Sequence, residues 1–278
     1  MSSADPETNY ALDSRECMLR NRFRQQCRNE GPRDVLPSKS ERRVSQRFSA
    51  QVALIAGGTG ALGRAVTVAF LEEGALAIVT YRQQSEFDAL RQAAGPDLSR
   101  LEGSNIDVTD EPTVRRLVAA VVSKHGRLDV LVNAVGAYAA GRALWDMDAS
   151  VLPQMLSLNL TSGYVLCRAA VPTMLRQNRG AIINLASMAA VHHAASSAEY
   201  AASKSAAVAM IDSMAADLSG TGVRANSILP SIIDTEANRN AMPGADYSKW
   251  PKPQDIARVI LFLCSDDARL IHGASIPL

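Results

Sequence analysis

The sequence predicts an α/β protein: a single doubly wound parallel sheet of about seven strands with helices on both faces. Three observations carry this expectation. From Ala50 onward, short apolar runs alternate with stretches of helical period, the pattern of parallel strands joined by crossover helices. The runs are apolar almost throughout, as strands covered on both faces must be. A glycine-rich turn, Gly57 to Gly63, follows directly on the first run, where such a sheet turns from strand into helix.

In chain order, the first strand is expected over Val52 to Ala56, and Ala61 to Glu73 then reads as a helix stopped by Gly74. Leu76 to Tyr81 and Leu101 to Ile106 supply the second and third strands. Asp110-Glu111-Pro112 has the cap and first-turn proline of a helix start, and that helix ends at Gly126. Leu128 to Asn133 and Ala181 to Ala186 follow as strands, with long helices after each. Val223 to Leu229 is the sixth strand, Asp255 to Cys264 a helix opened by Pro251 and Pro253, and Ala274 to Ile276 a short seventh strand. Glu236 to Trp250, with its Asn, Met, Pro and Gly, reads as a lid.

At 278 residues, a divisor of about 150 residues per domain suggests roughly two domains, but one large domain with a tail fits as well. Composition favours the tail. Residues 1–50 hold 15 hydrophobic, 10 basic and 7 acidic residues, a charge of +3, while the rest holds 19 basic and 21 acidic, a charge of −2. So apolar-poor a segment buries too little surface to offset its ordering entropy. A poorly structured extension is therefore expected over 1–49 and a folded domain over 50–278. Organelle-targeting peptides are poor in acid, whereas Asp5, Glu7, Asp13 and Glu16 crowd the front of this one, so targeting is the lesser reading of the extension.

A net charge of +1 gives no electrostatic pull toward nucleic acid or anionic membrane, so small-molecule ligands are expected. Cys17, Cys27, Cys167 and Cys264 form no CxxC pair and no cluster with histidine, which suggests no metal site and a reducing cytoplasm. No apolar run reaches the roughly 18 residues of a membrane helix.

Gly58, Gly60 and Gly63 satisfy GxGxxG. After a strand and before a helix, that pattern marks a dinucleotide turn, where the backbone approaches a pyrophosphate held by helix N-terminal amides. At the end of the second strand, where a carboxylate would bond the 2′-hydroxyl of NAD, stand Tyr81 and Arg82. A guanidinium there can grip a 2′-phosphate, so NADP(H) is preferred and NAD(H) remains possible. A solvated loop charge is the plainer account of Arg82.

Tyr200 and Lys204, spaced i and i+4, share one helix face. A free phenol titrates near about 10, and a neighbouring ammonium favours the phenolate, which makes an acid/base pair. Alone, such a pair on a helix means little. Ser187, however, ends the fifth strand at the sheet edge where ligands bind, and Asn133-Ala134-Val135-Gly136 ends the fourth.

With these motifs in this order, residues 51–278 resemble the short-chain dehydrogenase/reductase family, in its 3-oxoacyl-carrier-protein reductase-like branch. The resemblance implies a Rossmann-type fold and an NAD(P)-dependent oxidoreductase acting on a carbonyl or alcohol. It also implies a catalytic tetrad of Asn159, Ser187, Tyr200 and Lys204, in which the tyrosine moves the proton, the serine orients the oxygen, the lysine holds the nicotinamide ribose, and the asparagine fixes a relay water. By the same likeness Gly57, Gly58, Thr59, Gly60, Leu62 and Gly63 face the pyrophosphate, Asp107 and Val108 the adenine, and Asn133, Ala134 and Gly136 the adenosine side. Pro230, Ile233 and Thr235 fall beside the carboxamide. Relatives are commonly homotetramers, so a homotetramer or homodimer is expected.

Departures from the family pattern are small-for-small: Ala56 and Ala61 in the glycine motif, Ala134 and Val135 after Asn133, and Ser231 after Pro230. Tyr138, Met188, His192 and His193 are candidates to line the substrate, with Trp145 beside them, although apolar residues and loop histidines are more often plain packing or surface. A dinucleotide-binding regulatory protein without turnover is the alternative from another class, and loss of the tyrosine or lysine would be its mark.

Overall fold

The computed structural model describes residues 46–278. Most of the expected extension, with Cys17 and Cys27, lies outside the described residues.

Seven strands form one wholly parallel sheet in the order β3-β2-β1-β4-β5-β6-β7. They are β1 (Val52–Ala56), β2 (Leu76–Tyr81), β3 (Leu101–Asn105), β4 (Val130–Asn133), β5 (Gly180–Leu185), β6 (Val223–Leu229) and β7 (Ser275–Pro277). The helices are α1 (Ala61–Glu72), α2 (Gln84–Ala94), α3 (Glu111–His125), α4 (Val151–Leu156), α5 (Ser162–Gln177), α6 (Ala198–Asp217), α7 (Glu236–Ala241) and α8 (Pro253–Cys264). Strand order reverses between β1 and β4, which opens a crevice at their carboxyl ends.

Side chains of each strand alternate between two cores. Ala53 and Ile55 point toward Val66 and Phe70 of α1, Leu90 of α2 and Ile256 and Ile260 of α8. Val52 and Leu54 point toward Val114 and Val118 of α3, Leu166 and Ala170 of α5 and Ile211 of α6. Both faces are therefore covered, which is why the strands read as continuous apolar runs. Helix α3 is closed at each end as its sequence foretells: the Asp110 carboxylate accepts the Thr113 amide at 3.1 Å, and Gly126 adopts φ +75° past the last turn.

Several boundaries differ from expectation, each for a local reason. Residues 46–49 belong to the folded domain, not to the extension. The Phe48 ring is fully buried and meets Phe70 edge-on at 4.9 Å, while Arg47 pairs with Glu73 at 2.7 Å. The fourth strand starts at Val130, two residues late, because the Gln177 side chain takes both the amide and the carbonyl of Leu128 at 2.9 Å. The segment expected as a lid is tied to itself: Arg239 makes a fork to Asp234, and the Tyr247 hydroxyl donates to the carbonyls of Arg239 and Met242.

Candidate active site

Five segments converge on the crevice at the carboxyl edge of the sheet: the β1–α1 turn, the loop after β4, the bulge between α4 and α5, the turn after β5, and the start of α6. In the first, Gly57 takes φ +71°, a conformation glycine adopts without cost. A methyl at Gly63 would lie 2.0 Å from the Gly57 carbonyl oxygen, and one at Gly58 would lie 2.7 Å from the Val79 side chain. The turn is thus pressed against its own helix and strand where α1 begins. Such a cradle fits a pyrophosphate.

The adenosine end is laid out between β2, β3 and that turn. Arg82 and Asp107 form an ion pair at 2.9 Å, with both side chains substantially exposed. The other Asp107 oxygen accepts the Thr109 amide and hydroxyl, and these bonds, more than the guanidinium, hold its carboxyl below the usual carboxylate range. Tyr81 stacks flat on Phe87 at 4.6 Å, and Thr59 donates to Glu86 at 2.8 Å. Val108 and Leu62 pack into or against the cores.

Asn133 is buried and its side chain turns inward. Its Nδ2 donates to Asn184 at 3.0 Å and its Oδ1 accepts the Val135 amide, so it pins the loop that carries Ala134 to Gly136. Ala134 continues the sheet by donating to the Ala56 carbonyl. Pro230 is buried and accepts the Met188 amide. Thr235 accepts the Asn238 amide at the start of α7, and the Ile233 carbonyl accepts the Asn238 side chain.

The four expected catalytic residues come together. Asn159 sits in a π turn, Ser157–Thr161, that joins α4 to α5, and such bulges gather at functional sites. Its amide clasps the Ala137 peptide on both sides, accepting from Ala137 N at 2.9 Å and donating to Ala137 O at 3.0 Å, with a further bond to Ser203 Oγ. The side chain is thus fully engaged in holding the β4 loop and the α6 helix, a positioning role the sequence pattern does not disclose. Ser187 follows β5, where its hydroxyl accepts the Ala189 amide and stands near enough to the Tyr200 phenol to draw its pKa down.

Lys204 is only 5% exposed. Its ammonium donates to the Leu185 carbonyl at 2.9 Å, and burial pushes its pKa down to about 8. Gly136 makes room for this group, since a methyl there would lie 2.8 Å from Asn159 Oδ1 and 3.1 Å from Lys204 Nζ. The expectation that the lysine brings the phenol down meets a correction. Burial pushes the Tyr200 phenol up, Ser187 offsets this in part, and the neighbouring Tyr138 adds to the rise. Tyr200 is consequently a neutral phenol at neutral pH.

Among the candidates for substrate contact, Tyr138 meets the Tyr200 ring edge-on at 4.9 Å while remaining 72% exposed. It forms a wall beside the phenol. Met188 is half-buried in the turn after Ser187, and His192 and His193 are exposed beyond it. Trp145 stands exposed on the loop after β4. Among the described residues no cluster of His, Cys, Asp or Glu could hold a metal ion, and no helix is long and apolar enough to cross a membrane.

Comparisons with known proteins agree with this arrangement. The chain is 30% identical to the 3-oxoacyl-[acyl-carrier-protein] reductase FabG of Thermotoga maritima over 240 residues, covering 84% of this chain and 97% of that one. Among solved structures it resembles ElxO with NADP bound (25% identity, TM-score 0.78, covering 82% and 96% of the two chains). It also resembles xylitol dehydrogenase with NAD+ bound (25% identity, TM-score 0.77, covering 83% and 98%). The sequence model of the short chain dehydrogenases matches residues 51–246, from the start of β1 into the segment after β6, so the glycine turn and the Tyr200 cluster fall inside one family pattern: this chain belongs to the short-chain dehydrogenase/reductase family of NAD(P)-dependent oxidoreductases.

Proposed function

We propose that the protein is an NADP(H)-preferring carbonyl reductase, working in reverse as an alcohol dehydrogenase, with Tyr200 as its acid/base. The observation that carries this reading is the meeting of the Tyr200 phenol, the Ser187 hydroxyl and the buried Lys204 ammonium at the crevice where the glycine turn opens. The dinucleotide, when bound, supplies or accepts the hydride.

This chain's own groups handle the oxygen and the proton. Ser187 Oγ and the Tyr200 hydroxyl together fix a carbonyl oxygen by hydrogen bonds. Tyr200, held neutral by burial, then gives its proton to that oxygen as negative charge develops, which is general acid catalysis. The Lys204 ammonium, one helical turn away, would hold the nicotinamide ribose. Tyr138 and the apolar Met188 shield one side of the site from water and favour a substrate with an apolar flank next to its carbonyl. Arg82, released from Asp107, pairs with a 2′-phosphate.

A homotetramer or homodimer in the cytoplasm completes the reading. It is supported by the family's usual assembly and by free, buried thiols at Cys167 and Cys264 that suit a reducing compartment.

Tyr200→Phe removes the proton donor and keeps the ring. It should lower turnover of NADPH with a 3-oxoacyl thioester or ketone panel by about 10²–10⁴-fold while leaving NADPH binding within a few-fold. Unchanged turnover in that variant would refute the assignment.

A further inference from the structure

We infer that Glu86 is a cofactor-specificity residue, holding a negative charge where a 2′-phosphate would sit, so that the enzyme uses both NAD(H) and NADP(H). The inference rests on the reading that the glycine turn binds a dinucleotide, and it limits the preference that Arg82 confers.

In this fold, the adenosine ribose lies between the glycine turn and the end of β2, and a carboxylate there receives the 2′-hydroxyl of NAD. The end of β2 offers Tyr81 and Arg82 and no carboxylate. The first turn of α2 supplies one instead. Glu86 accepts the Thr59 hydroxyl at 2.8 Å, spanning the gap between the two segments, and Thr59 is itself buried at 4% exposure.

Its neighbours hold it there. Phe87, the next residue, lies flat against Tyr81 at 4.6 Å. The same ring covers Gly103, where even a methyl would come within 2.3 Å of it. Tyr81 in turn donates to Gln84 at 2.9 Å. With Phe87 locked on that side, Glu86 is turned to the glycine turn.

Beside the Arg82 guanidinium stand two carboxylates, Asp107, its ion-pair partner, and Glu86 at the glycine turn. An ionised carboxylate can only accept hydrogen bonds, so it suits a ribose hydroxyl and repels a phosphate dianion. Arg82 must therefore attract a 2′-phosphate against Glu86 while its own charge is already shared with Asp107.

The test is fluorescence titration of the full chain with NADPH and with NADH. Glu86→Gln keeps an oxygen to accept from Thr59 and removes only the charge. It should raise the preference for NADPH over NADH by roughly five- to tenfold, and Glu86→Lys should raise it further. The shift should shrink as ionic strength rises from about 0.05 M to about 0.5 M, which a merely structural role would not produce. Asp88→Asn, a change of equal charge two residues on at an exposed site, should leave the preference as it was. If both nucleotides bind and Glu86→Gln leaves the preference unchanged, or if Asp88→Asn shifts it equally, the inference is overturned. If neither nucleotide binds the unaltered protein, the dinucleotide reading fails first, and that outcome is distinct.

Discussion

Gly63→Ala and Gly60→Ala look equivalent in the GxGxxG pattern, and the structure separates them. A methyl on Gly63 would lie 2.0 Å from the Gly57 carbonyl oxygen, 2.9 Å from its carbon and 3.0 Å from Gly58 Cα. All three are backbone atoms, with no side chain to swing aside. Reaching an ordinary contact of about 3.4 Å needs the turn to move about 1.4 Å away from α1. Overpacking of this kind costs about 1–3 kcal/mol, or several degrees in Tm at about 2–4 °C per kcal/mol for a domain of this size. A displacement near 1 Å in the phosphate cradle should also weaken NADPH about a hundredfold, by analogy with catalytic misplacement. At Gly60 the nearest atom to a methyl is 3.6 Å away and φ is −64°, so alanine there should change stability by less than about 0.5 kcal/mol and leave binding nearly intact. Thermal melts and NADPH titrations of the two variants side by side make the assay. Equal behaviour of the pair, in either direction, would refute the steric account of the turn.

Lys204→Met should abolish turnover and yet stabilise the fold. Holding the ammonium at about 8 instead of its ordinary 10.5 corresponds to about 3 kcal/mol of penalty for the charged form, from which about 1 kcal/mol is lost with the hydrogen bond to Leu185. The net gain of about 2 kcal/mol at pH 7 should narrow between pH 8 and 10.5, because there the unfolded chain binds more protons and the unaltered protein gains stability as pH rises. Denaturant curves at pH 7 and 10 read this directly, and a variant less stable at pH 7 would contradict it. Arg82→Ala should weaken NADPH about tenfold or more while moving NADH little, and equal losses for both in titrations would reject the 2′-phosphate role. Light scattering should return twice or four times the 29.7 kDa mass of the chain, and a stable monomer would reject the proposed assembly.

Local patterns in the sequence were enough to disclose the sheet and to place Tyr200 and Lys204 on one helix face. Strands such as Val52–Ala56 and Leu76–Tyr81 begin and end where apolar runs do, because burial on both faces writes itself into consecutive residues. The caps of α3 and the i, i+4 pairing of Tyr200 with Lys204 are equally local, being set by helix geometry alone. What the tertiary structure decided lies between residues distant in the chain. Asn159 grips Ala137 across 22 residues, Glu86 meets Thr59 across 27, and Arg82 meets Asp107 across 25. Phe48 joins the core from a segment whose polar neighbours give no apolar period. The acid/base character of the site belongs to the same class. Spacing alone puts an ammonium near a phenol, but only packing withdraws the two groups from water, which lowers the lysine and raises the tyrosine. Periodicity records which side of an element meets the core, whereas desolvation and partner choice depend on everything else that arrives there once the chain has folded.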